Sequence, residues 1–304
     1  MTGLKIGLAL GGGGARGIAH IGVLKVLEEE GIQIDGIAGT SFGSIVGAMY
    51  AQNPNVDSVQ NRVVHFLKSE QFRRTKIFFI KRHYEEKKNK NFITNVKSYL
   101  QKSIFWGISL QRTSFISEED FMSQMSQLLD DKQIEETAIP FCAVATDLTN
   151  GKEIVLSKGP IQRAVAASCS IPGVFSPIGI DNLQLIDGGW VNQIPVTTLS
   201  KLNMDFTIAV NIAGEDKPKH SYDSGLDIVL RANEITRAIL SDIQTEKADC
   251  LIRPDLGNIH WSDFWRFDEA ISRGEKAARA VIQPLKRMLW KNRVKKFLKL
   301  RPDH

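Results

Sequence analysis

Cysteine is scarce in this sequence, long apolar runs are absent, and nothing resembles a repeat or a low-complexity linker. Cys142, Cys169 and Cys250 are odd in number and widely spaced. They fit neither a disulfide framework nor a metal-ligand spacing, so buried free thiols in a reducing compartment are expected. No apolar run reaches 18 residues; FTIAVNIA at 206–213 is far too short to span a bilayer. The opening MTGLKIGLAL has one Lys and then glycines, which is not the basic-then-apolar layout of a secretory signal. The expected location is therefore the cytoplasm, with membrane association left open.

What is present is ample for a core. The chain has 304 residues, 42% of them hydrophobic, which suits one or two domains. Its net charge of +5 hides an asymmetry. Residues 71–102 carry ten Lys or Arg against two acids, and residues 285–304 carry eight against one. The remaining chain is net acidic. Two basic patches on an acidic body suggest contact with an anionic surface in two places, not a generally basic nucleic-acid binder.

Leu4–Leu10 reads as a buried strand. Ile18, Ile21, Leu24 and Leu27 follow at helical spacing, Gln33–Ala38 is a second strand, and Ser41–Gln52 a second helix. This β–α–β–α start with short turns predicts a parallel sheet covered by helices. Residues 53–70 read as helix and 71–118 as an irregular basic and aromatic segment. Further helices are expected at Glu118–Leu129, Ile161–Ser168, 225–247 and 267–300. Further strands are expected at Pro140–Asp147, Glu153–Leu156, Leu183–Ile186, Phe206–Ile212 and Leu251–Arg253.

Residues 8–20 read LALGGGGARGIAH, and Gly12, Gly14 and Gly17 satisfy G-x-G-x-x-G. A dinucleotide site would also need an acid at the far end of the second strand. Asp35 lies at about the right sequence distance but is followed by apolar residues, so the strand is expected to run past it. That strand ends instead in GTSFG at 39–43. This G-x-S-x-G falls where a strand turns into a helix, the setting of a nucleophile elbow. Ser41 is then a candidate nucleophile. Gly12, Gly13 and Gly14 can aim backbone N–H groups at an oxyanion without side-chain obstruction. Arg16 either tethers the loop or contacts a substrate phosphate.

A serine needs a proton acceptor. His220 and His260 follow in triad order, whereas His20 is expected to pack behind the glycine loop. LQLIDGG at 183–189 offers another acceptor. Asp187 ends an apolar strand, and a carboxylate at the sheet edge beside Ser41 suffices for a dyad. Alone, DGG is equally an Asp-Gly turn.

Taken together, GGGARG (12–17), GTSFG (39–43), ASCSIPGVFSP (167–177) and DGG (187–189), with Asn192 and Pro195 after it, resemble the patatin-like phospholipase family. The resemblance covers about residues 5–215 and is nearest the bacterial, neuropathy-target-esterase-like branch. It implies a three-layer α/β/α fold with a mainly parallel sheet. It also implies a Ser41–Asp187 hydrolase of phospholipid or lysophospholipid esters, with no metal or organic cofactor, in which Gly12 to Gly14 hold the oxyanion. General esterase or thioesterase activity and a non-catalytic lipid-binding role remain as alternatives. Residues 1–215 would form the catalytic part, with 71–118 a candidate lid or membrane-contact insertion. Residues 216–304 would be a mostly helical continuation of the same domain. Trp290, Val294, Phe297 and Leu298 share one helical face beside Lys291, Lys295 and Lys296. That face suits an anionic lipid surface, or else the helix simply docks on the body.

Overall fold

A computed structural model of the chain describes residues 3–74, 114–213, 222 and 225–299. The strands are β1 (Ile6–Leu10), β2 (Gly36–Thr40), β3 (Phe141–Asp147), β4 (Glu153–Leu156), β5 (Ile178–Ile180), β6 (Leu183–Asp187), β7 (Phe206–Val210) and β8 (Cys250–Ile252). They form one sheet whose pairings follow the path β5-β6-β3-β2-β1-β7-β8, with β4 also on β3. The pairings of β1 with β2 and β7, of β2 with β3, and of β7 with β8 are parallel. Those of β3 with β4 and β6, and of β5 with β6, are antiparallel. The helices are α1 (Ala19–Glu29), α2 (Phe42–Gln52), α3 (Val56–Lys68), α4 (Glu70–Arg74), α5 (Glu118–Leu128), α6 (Ile161–Ser168), α7 (Gly225–Thr245) and α8 (Phe267–Lys299).

Strand alternation sorts side chains by size. Ile6, Leu8 and Leu10 of β1, Ile37 of β2, and Phe206, Ile208 and Val210 of β7 enter the main core with α1, α2 and α8. Ala9, Ala38, Cys142 and Ala209 point the other way, under Ile194, Val196 and Leu199. The second face is thus covered closely by the 191–202 segment, which small side chains permit. The two faces give the helix–sheet–helix layering expected of the sequence, with a mixed sheet in which parallel pairing leads.

Helix α8 lies along α1. Lys25 meets Glu275, Arg279 meets Glu29 and Lys286 meets Glu30. These pairs are largely solvent-screened, so burial of Ile271, Ile282, Leu285 and Leu289 dominates the docking. β5 was not legible in the sequence. It is three residues long and joins β6 through Asp181 and Asn182, both at positive φ (47° and 65°), as a tight hairpin turn requires. Most of the 71–118 segment lies outside the described residues, as does His220. All three cysteines are buried and free. Among the described residues no helix is long and apolar enough to cross a membrane, and no group of three His, Cys, Asp or Glu could hold a metal.

Candidate active site

β2 ends at Thr40 and α2 starts at Phe42, leaving Ser41 alone to make the turn. Its backbone sits at φ 52° and ψ −129°, a conformation costing about 1–3 kcal/mol for a residue with a side chain. Several bonds hold it there. Ser41 N donates to Ser168 Oγ at 3.0 Å, and that hydroxyl donates to the Val144 carbonyl. Ser41 O accepts from Ser44 N at 2.8 Å and from Ser44 Oγ at 2.6 Å. At Gly43 a Cβ would collide with the Leu10 and Gly11 carbonyls, so only glycine lets the elbow press against β1.

The sheet delivers Asp187 to the same place. Pro140 O accepts from Ile37 N of β2, and Leu148 N donates to Gln184 O of β6, while Asp147 N donates to Lys152 O beside β4. Backbone groups alternate between the two edges of a strand. Residues 140 and 148 are both even, so β2 and β6 occupy the same edge of β3, arriving from opposite ends. Thr40 faces Val144 and Asp187 faces the next residue, Ala145. The two strand tips therefore meet. The Ser41 hydroxyl lies near enough to the Asp187 carboxylate to lower its pKa, and Gly189 N donates to Oδ1 of that carboxylate at 2.7 Å. Burial raises the Asp187 carboxyl above its ordinary range; nearby Arg237, the Ser41 hydroxyl and the Gly189 N–H pull in the opposite direction. The net effect is a more basic carboxylate.

The glycine loop is pinned behind Ser41. Gly11 N donates to Val210 O and Gly12 N to Gln193 O at 3.0 Å. The Gln193 side chain donates back to Gly12 O. His20 is buried, and its Nε2 donates to Gly11 O at 2.8 Å; loss of hydration lowers its pKa to about 4, so the ring is neutral. The Gly12 amide is thus not available to an oxyanion. This corrects the expectation that all three glycines present free N–H groups. Among the described residues, no carbonyl outside the following helical turn accepts from Gly13 or Gly14 N. Arg16 Nε donates to Ile259 O at 2.9 Å, which ties the loop to the segment before α8.

Asp35 precedes β2, and its carboxylate accepts from Ile6 N at 2.8 Å. It caps the start of β1, at the opposite end of the strands from the Gly loop, and cannot reach a nucleotide bound there. His260 Nδ1 pairs with Ser262 Oγ at 2.8 Å within its own turn. Desolvation lowers its pKa to about 4, and the charged groups it senses are Asp263 and Arg16. It does not contact Asp187.

Ser41 lines a pocket whose walls are almost wholly apolar. Phe66, Phe72, Phe121, Met125, Val174 and Phe175 are among its lining, with Gln124 the main polar side chain beside Ser41. Phe121 and Phe175 stack with ring centroids 3.9 Å apart. Such a chamber accepts an alkyl chain and excludes water from it. Sequence reasoning did not find this cavity, because its walls come from α2, α3, α4, α5 and the 169–175 turn. It also passed over Ser168, although the residue sits in the ASCSIPG block, and Gln193 and Arg237.

The chain is similar to several known proteins. A family model described as patatin-like phospholipase matches residues 8–200. An uncharacterised NTE family protein of Mycobacterium bovis is 33% identical over 214 residues, 70% of this chain and 50% of its own. Lysophospholipase NTE1 of Kluyveromyces lactis is 28% identical over 312 residues, 94% of this chain and 20% of its own. The crystal structure of VipD from Legionella pneumophila aligns with 93% of this chain and 67% of its own, at 13% identity and a TM-score of 0.49. The chain spans half or less of the length of these two curated relatives.

Proposed function

The chain belongs to the patatin-like phospholipase family, and on that premise we propose that it hydrolyses acyl esters of phospholipids or lysophospholipids through Ser41 and Asp187. The observation that carries this reading is the strained Ser41, its hydroxyl beside a buried carboxylate and at the wall of an apolar pocket. With the acyl chain in the cavity, the ester carbonyl lies against Ser41. Ser41 Oγ attacks the carbonyl carbon and Asp187 takes its proton. Negative charge then develops on the carbonyl oxygen beside the Gly13 and Gly14 amides, where preorganised N–H donors are worth several kcal/mol. The leaving alcohol recovers the proton, and water activated by Asp187 releases the fatty acid. Desolvation of Asp187 favours this role, since a more basic carboxylate is the better acceptor.

The test is hydrolysis of 4-nitrophenyl butanoate and of a lysophospholipid by the wild type, Ser41→Ala and Asp187→Asn. Both substrates should be cleaved by the wild type alone, with His260→Ala near normal. Full activity in Ser41→Ala would overturn the assignment.

Contact with a lipid surface is proposed for the end of α8. Its docked face buries Leu285 and Leu289, and Lys296 meets Asp205 at 2.6 Å. Its outer face leaves Trp290 66% and Leu298 59% exposed, flanked by exposed Lys291 and Lys295. The helix thus docks through one face and offers a basic, apolar strip on another, as an interfacial helix does.

A further inference from the structure

Asp187, Gln193 and Arg237 converge on Gly189. A Cβ on Gly189 would press against Gln193 Oε1 and lie 2.8 Å from Arg237 Nη2 and 3.0 Å from Asp187 Oδ1. Arg237 arrives from α7. Its Nη2 donates to Gln193 Oε1 at 2.6 Å, and its guanidinium lies 6.0 Å from the centre of the Trp190 ring. Gln193 in turn is bonded to Gly12 twice, through its backbone carbonyl and its side-chain amide. One cation thus reaches both halves of the machinery. It is linked to the glycine loop by a two-step chain of hydrogen bonds and faces the carboxylate across a glycine.

We propose that Arg237 is a positioning residue, which fixes the Gly12 carbonyl through Gln193 and, by its charge, keeps Asp187 a carboxylate able to take the Ser41 proton. This inference rests on the Ser41–Asp187 reading. The groups that face the Asp187 carboxyl are the Ser41 hydroxyl from the elbow, the Gly189 N–H from its own turn, the Cys169 thiol from the end of α6 and Arg237 from α7. Among the described residues Arg237 is the only cation in that set. Removing it leaves burial opposed by hydrogen bonds alone, so the carboxyl protonates at higher pH.

The measurement is the pH profile of kcat/KM on 4-nitrophenyl butanoate for wild type, Arg237→Gln, Arg237→Lys and Gln193→Glu, with Asp187→Asn as control. In Arg237→Gln the acid limb should move up by about one pH unit, roughly a tenfold loss of rate on that limb. Arg237→Lys keeps the charge and should restore the limb. Gln193→Glu places a second carboxylate between Arg237 and Asp187 and should also move the limb up. It keeps a ligand for Arg237, so it tests the charge even if Arg237→Gln does not fold. An unmoved limb in the folded variants, with Asp187→Asn inactive, overturns the role of Arg237 and leaves the dyad standing. Full activity in Asp187→Asn overturns the dyad itself.

Discussion

Ser168 accepts the backbone N–H of Ser41 at 3.0 Å while donating its own hydrogen to the Val144 carbonyl. A fully buried hydroxyl on α6 thus ties the elbow to β3, the strand on which β6 and its Asp187 pair. Ser168→Ala leaves a buried N–H without its partner, at a cost of about 1–3 kcal/mol. Part of that cost falls on stability and part on the pose of Ser41. The expected result is a kcat on a soluble ester lowered about tenfold with KM little changed, checked by steady-state kinetics beside a denaturation curve.

Asp187→Asn should separate activity from stability. The folded protein raises the Asp187 carboxyl above its unfolded value. Such a group destabilises the fold progressively as pH rises from the unfolded value through the folded one. A neutral amide at 187 removes that burden above pH 5. Calorimetry should show a higher Tm at pH 7, and the gap between variant and wild type should shrink as the pH approaches 4. Activity should fall by about three orders of magnitude. An equal or lower Tm at pH 7 would contradict the sign of the electrostatics.

On the proposed reading the cavity should set acyl-chain preference. Val174→Phe adds volume to its lining. Hydrolysis of a dodecanoyl ester should lose about tenfold relative to the butanoyl ester, since each lost methylene contact in such a pocket is worth about 1 kcal/mol or more. Comparing kcat/KM on the two esters decides it. An unchanged ratio would mean the chain lies elsewhere.

His20 supplies an acid-sensitive element of the fold. Its ring is fully buried, with a pKa near 4 in place of 6.5. The unfolded chain takes up a proton below pH 6.5 that the folded one refuses until about 4. Stability from this group is therefore present above pH 6.5 and lost on acidification across that window, by up to about 3 kcal/mol. Denaturation midpoints between pH 7 and pH 4.5 should fall more steeply in the wild type than in His20→Gln. Parallel curves would exclude His20 as the cause.

At the end of α8, Trp290→Ser with Leu298→Ser should weaken sedimentation with anionic vesicles several-fold without changing butanoyl ester hydrolysis. Neither side chain is buried, so the fold should not suffer. Unaltered vesicle binding would remove this helix as a contact.

The sequence by itself determined most of the elements, β5 excepted, and where Ser41 and Asp187 stand at the ends of their strands. Leu8 to Gly43 carries its structure in local chemistry: an apolar strand, glycines where backbone must pass close to backbone, and one serine left to turn the chain. DGG after an apolar strand was legible for the same reason, since strand ends and turns are local events. Tertiary structure alone decided which amides remain free, because the bond that takes Gly12 N comes from residue 193, far along the chain. It also decided the state of two histidines, since burial, which spacing does not reveal, lowers the pKa of His20 and His260 to about 4. The apolar cavity and the approach of Arg237 to Asp187 arise from helices distant in sequence. Contacts of that kind depend on how layers pack, and packing leaves no mark in a single stretch of residues.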